Sequence, residues 1–165
     1  MSTRKVNGTL AAVAKAPEEG RYRAALAVAY AQVERAADAV EQYEEAIRLG
    51  TSDADLRFNY AVMLEKIGRV HDAVDAFAVA AELRPMHVES HRRMGRILVH
   101  LARDREASEA YRRAVRYDLN DAELRFELGA CLARLGEREA AMEQLRILQA
   151  MDRGAAQRLT RMMQR

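Results

Sequence analysis

Apolar residues along this chain recur three and four positions apart, the period of helices that bury one face. The clearest stretch predicts one helix over 54–67, ended by Gly68, and a second over 70–83, with Pro85 just beyond its end. A shift of 34 residues then superimposes Leu26-Ala27, Tyr60-Ala61, Met94-Gly95 and Leu128-Gly129, each a larger apolar residue followed by Ala or Gly. The same shift aligns Tyr30, Leu64, Leu98 and Leu132, and after them Ala39, Ala73, Ala107 and Ala141. It also aligns Tyr43, Phe77, Tyr111 and Leu145, then Ala46, Ala80, Ala114 and Leu148. Five columns therefore hold over four copies without an insertion.

The copies run over 20–53, 54–87, 88–121 and 122–155, each predicting two helices, A and B, around a short break. The small residues let helices approach closely while Tyr, Phe or Leu fills the space alongside. Neither helix of a copy buries its apolar stripe alone, so neighbouring copies must stack into one continuous core. Composition agrees. Half of the 165 residues are hydrophobic and 32% are charged, but there are only two prolines, eight glycines and 5% aromatics. That argues for a nearly all-helical chain and against a sheet protein with many turns.

The period and its columns resemble the tetratricopeptide repeat family over residues 20–155. In the family's tryptophan slot this chain carries Arg23, Arg57, His91 and Arg125, and Pro85 fills the late proline slot. The resemblance implies an all-α, right-handed α-solenoid of four 34-residue helix-turn-helix repeats. Residues 156–165 read as a C-terminal capping helix, with Leu159, Met162 and Met163 on its apolar face and Arg158, Arg161 and Arg165 on the other. Residues 1–19 form an N-terminal segment. Pro17 lies 68 residues before Pro85, twice the period, which suits a degenerate B helix over 4–16; Gly8 and Thr9 suit a flexible segment equally.

The chemistry-bearing residues offer no catalytic centre. There is no Gly-rich phosphate loop and no Ser/His/Asp constellation. His87 and His91 are four apart, but Pro85 places His87 at a helix start and no further ligand pair follows. The single Cys131 excludes an intrachain disulfide and a multi-cysteine zinc site, and reads as a small buried hydrophobe. No catalytic residue, cofactor or metal is expected, and the chain is read as non-enzymatic. The 27 basic residues against 25 acidic ones, net +2, argue against a nucleic-acid partner. The longest apolar run has eight residues, against the ~20 needed to cross a bilayer. Asn7, Gly8 and Thr9 interrupt any signal-peptide core. A cytoplasmic location is expected, in a bacterial source suggested by the Ala- and Arg-rich composition.

The resemblance further implies a binding module whose A helices line a concave groove. The groove positions with candidate side chains are Val28, Phe58, Asn59, Val62, Lys66, Arg92, Arg93, Arg96, His100, Phe126 and Arg134. Phe58 and Phe126 occupy equivalent positions two repeats apart, either as apolar pockets or as packing between A helices. Arg92, Arg93 and Arg96 gather positive charge in the third repeat, either to hold an acidic segment or to be neutralised by Glu89, Glu123 and Glu127. Asn59 and Arg93 match two positions of the carboxylate clamp of chaperone-binding members. Ala24, Val28 and Glu89 in the other clamp slots lack the amide or positive groups, so that clamp is not expected. The function expected is an adaptor or scaffold that binds a peptide or helical segment of a protein partner. Self-association into a dimer or filament is the first alternative, and a secretion-type chaperone the second.

Overall fold

The computed structural model describes residues 2–164, and every regular element among them is helical. The ten helices are α1 Ser2–Lys15, α2 Gly20–Gln32, α3 Ala36–Arg48, α4 Ala54–Lys66, α5 Val70–Leu83, α6 Val88–His100, α7 Asp104–Tyr117, α8 Ala122–Arg134, α9 Arg138–Met151 and α10 Arg153–Met163. Two compact units divide the chain, 1–84 and 85–165. In the first, α2 pairs with α3 and α4 with α5, with α1 against α2 and α3 against α4. In the second, α6 pairs with α7 and α8 with α9, with α7 against α8 and α10 against both α8 and α9.

The hairpin turns share one construction. The residue closing each turn has a positive φ: Glu34 (59°), Gly68 (80°), Ala102 (56°) and Gly136 (76°), each 34 residues from the last. The next N–H reaches back five residues to the A helix, as in Arg69 N to Leu64 O and Arg103 N to Leu98 O, both 2.9 Å. This left-handed closure satisfies carbonyls that the end of a helix leaves open. Glycine marks only two of the four turns in the sequence; Glu34 and Ala102 adopt the same conformation despite their Cβ atoms.

Inside each hairpin the small columns face the large ones. Ala27, Ala61, Ala39, Ala73 and Ala107 are fully buried, as are Phe77 and, nearly so, Tyr43 and Tyr111. A Cβ on Gly95 would stand 2.9 Å from the Tyr111 ring, so glycine there is a packing requirement. Burial also pushes the Tyr43 phenol up to about 12.

The fourth residue of each A helix, in the slot the family gives to tryptophan, reaches back toward the turn before it. His91 Nε2 donates to the Pro85 carbonyl at 3.0 Å. Arg125 Nε and Nη2 donate to the Leu119 carbonyl at 3.0 and 2.9 Å, and Arg23 Nε to that of Pro17 at 3.4 Å. Arg57 reaches the Ser52 hydroxyl instead, at 2.8 Å. These side chains tie an entering helix to its own loop.

Two boundaries differ from the pattern-based reading. The helix expected over 54–67 closes at Lys66, with Ile67 as its cap. The last helix begins at Arg153, not 156, because the Asp152 side chain accepts Gly154 N–H at 2.8 Å and Ala155 N–H at 3.1 Å. Leu159 is fully buried, and Arg165 lies outside the described residues. The N-terminal segment is helical, with Val6 and Val13 buried. Thr9 is accommodated within it by donating to the carbonyls of Lys5 and Val6.

Candidate functional site

In the first unit, α2 buries Leu26, Ala27, Ala29 and Tyr30, and its exposed side carries Ala25 and Val28 between Arg21 and Gln32. Val28 remains 38% exposed there. Beside it, α1 and α2 bound an open groove of about 430 Å³ lined by Lys5, Gly8, Thr9, Ala25, Val28, Ala29 and Gln32. The α1 wall was not anticipated from the sequence, because an uncertain helix gives no face to assign. On α4, Asn59 and Lys66 are exposed and Val62 is half-buried. Phe58 is half-buried with its ring centre 5.6 Å from that of Phe77, so part of its surface is spent on the hairpin core.

In the second unit, α6 carries the basic cluster. Arg92 is held between Glu89, at 3.3 Å, and Asp121, to which it also donates a short hydrogen bond. Arg93 pairs with the same Glu89 at 2.9 Å. Arg96 and His100 are exposed on the helix surface. Burial would lower the Arg92 pKa, but the hydrogen bond and charge of Asp121 outweigh it and leave the group raised. Asp121 also caps α8 by accepting Leu124 N–H at 2.9 Å. Of the three neutralising carboxylates expected, Glu89 contacts both Arg92 and Arg93. Glu123 is taken by Arg158 at 2.5 Å. Glu127 is half-buried, and that burial, with the Glu123 charge, raises its pKa. Asp121 was missed because its contact with Arg92 spans 29 residues, a distance along the chain that no local pattern reports.

Phe126 and Arg134 are both engaged within the unit. Phe126 packs on the cluster of Leu145, Leu148, Ala155, Ala156 and Leu159. The guanidinium carbon of Arg158 lies 4.2 Å from its ring centre. The ring is thus partly covered by the terminal helix, as a packing residue between helices would be. Arg134 donates to Asp104 at 2.7 Å and to Cys131 Sγ at 3.2 Å. Cys131 is fully buried, and that burial pushes its thiol up to about 11, which suits a packing role. Among the described residues no group of three His, Cys, Asp or Glu is placed to hold a metal ion. No helix among them is long and apolar enough to cross a membrane.

The tetratricopeptide repeat profile matches residues 24–87 and 92–156. The chain belongs to the tetratricopeptide repeat family, whose members are generally protein-interaction scaffolds and whose fold is typically non-catalytic. Among solved structures it is similar to YrrB, described as a tetratricopeptide repeat protein with an unusual peptide-binding site. That likeness has a TM-score of 0.81 at 20% identity, covering 97% of this chain and 84% of YrrB. It is also similar to MamA, with a TM-score of 0.76 at 16% identity, covering 94% of this chain and 86% of that one. A third likeness is MamA residues 41–end from Desulfovibrio magneticus RS-1, with a TM-score of 0.75 at 14% identity, covering 93% and 86% of the two chains. At these identities the likeness is one of fold. No curated protein matches the sequence significantly.

Proposed function

We propose that this chain is a non-catalytic, cytoplasmic adaptor that binds a peptide or helical segment of a protein partner on the open face of its A helices. The observation that carries this reading is the exposed pair Ala25 and Val28 on α2, where Val28 stands 38% exposed at the edge of the α1–α2 groove. A helix that buries one side and still exposes apolar residues on the other gains by covering them. Val62 on α4 and the exposed Asn59 and Lys66 add apolar contact and polar registration within the same unit. In the second unit, Arg93 and Arg96 carry guanidinium groups for which a partner carboxylate would compete with the groups they already meet, Glu89 in the case of Arg93.

Selection of peptides from a display library on the immobilised protein, followed by titration into the isotope-labelled chain, tests this reading. Amide shifts on α2 and α4, and at least about tenfold weaker binding to Val28→Glu, are expected. Selected peptides that bind Val28→Glu and Arg96→Glu as tightly as the unaltered protein would overturn it. So would light scattering that shows only the protein's own dimer or filament as its ligand.

A further inference from the structure

A second candidate surface gathers around the loops that lead into α6 and α8. In the second unit Met86 is 71% exposed, Leu119 60% and Tyr117 41%, large apolar side chains in or beside the loops that lead into α6 and α8. His91 joins them. Its Nε2 donates to the carbonyl of Pro85, next to Met86, and its ring stacks on Tyr117 with 6.5 Å between centres and 15° between planes. His91 is itself 2% exposed, so the inner face of Tyr117 rests on a buried side chain and its other face is left to solvent. Burial lowers the His91 pKa, and the charge of Arg113 acts in the same direction, which places Arg113 close to the same ring.

The charge on this surface is specific. Arg113 and Arg116 are exposed, one turn before Tyr117 and immediately before it. Neither forms an ion pair among the described residues, whereas their neighbour Arg112 is spent on Glu137 at 2.9 Å. Asp118, the nearest acidic residue in sequence, has its carboxylate turned to Asn120 N–H at 3.3 Å. Two uncommitted guanidinium groups therefore flank three exposed apolar side chains on a rigid base.

We propose that Met86, Tyr117, Leu119, Arg113 and Arg116 form a docking surface for an acidic amphipathic segment of a partner protein, one that places one or two carboxylates beside apolar side chains. Charge complementarity selects this occupant. Guanidinium groups take carboxylates through paired hydrogen bonds, and the apolar residues supply area that a purely acidic ligand would leave unused. An anionic bilayer fits less well. The exposed Glu109 stands one turn before Arg113 on α7, and a net charge of +2 over 165 residues gives little attraction to a charged plane. None of these five side chains is among those the proposed function uses, so the two readings stand or fall independently.

The test uses the full chain and fluorescent synthetic peptides that alternate Asp or Glu with Leu or Phe. Lysine-substituted and serine-substituted versions serve as controls, together with phosphatidylcholine vesicles carrying about one-fifth phosphatidylserine. Binding of the acidic amphipathic peptides alone is expected, with amide shifts at 85–87 and 113–120. Arg113→Glu with Arg116→Glu should weaken it at least about tenfold, and Met86→Ser with Leu119→Ser several-fold. Val28→Glu should leave it unchanged. All altered side chains are exposed, and circular dichroism checks that each variant keeps its helicity. The proposal is overturned if the acidic peptides do not bind, if the charge-reversed protein binds them equally, or if the vesicles are bound in their place.

Discussion

Replacing Ala102 by glycine is expected to stabilise this protein, against the ordinary cost of putting glycine at an exposed site. Ala102 holds φ at 56°, where its Cβ crowds the backbone, and the equivalent turn at Gly68 uses φ 80° without that penalty. A left-handed L-residue costs about 1–2 kcal/mol. Glycine removes that strain but loses about 0.4–1 kcal/mol more through the greater freedom of its unfolded chain. The difference predicts a gain of about 0.5–1 kcal/mol for Ala102→Gly. The reverse change, Gly68→Ala, should cost a similar amount. A Cβ there would meet nothing within 4 Å, so backbone strain alone is measured. Urea unfolding followed by far-ultraviolet circular dichroism reads both effects. In a thermal melt the shift is roughly 2–4 °C per kcal/mol for a chain of this size. If Ala102→Gly lowers stability, or Gly68→Ala leaves it unchanged, the shared left-handed closure is not what holds these turns.

Two further predictions concern side chains that tie elements together. Arg125→Met keeps much of the buried stem but leaves the Leu119 carbonyl without its two charged donors, so a loss of about 2–3 kcal/mol is expected in urea unfolding. Arg57→Met, whose partner is the exposed Ser52 hydroxyl, should cost less than half as much, and equal losses would refute a special role for the carbonyl tie. For Asp121, burial would raise the pKa, but the Leu124 N–H and the Arg92 guanidinium outweigh it and hold the carboxyl below its ordinary value near 3.8. Its stabilising contribution is therefore complete at neutral pH and is lost as pH falls through the depressed value. Asp121→Asn keeps a capping acceptor without the charge, so its urea midpoint should fall less between neutral pH and about pH 3 than that of the unaltered protein.

Much of the fold could be read from residues because each feature recurs at a fixed distance along the chain. The Ala39, Ala73, Ala107 column announces close approach, and the Tyr43, Phe77, Tyr111 column announces what fills the space. The B helix expected over 70–83 matches α5 because its apolar stripe and Pro85 bound it on both sides. The binding face was less legible. Phe126 looked like a counterpart of Phe58, yet Arg158 and the α10 cluster cover it, whereas Phe58 leans on Phe77. Equivalent positions in a repeat share a backbone environment but not the side chains of their neighbours.

What the sequence determined by itself is the family, the helical hairpin and its 34-residue period, since burial of a repeated stripe is the same local problem solved four times. What only the tertiary structure decided is which charges are spent across a repeat boundary. Arg92 meets Asp121 across 29 residues, Arg134 meets Asp104 across 30 and Arg158 meets Glu123 across 35. Those separations are close to one repeat. These partners are brought together only when one hairpin stacks on the next, whereas Arg35, Arg48 and Arg103 meet carboxylates three residues away that the sequence itself displays.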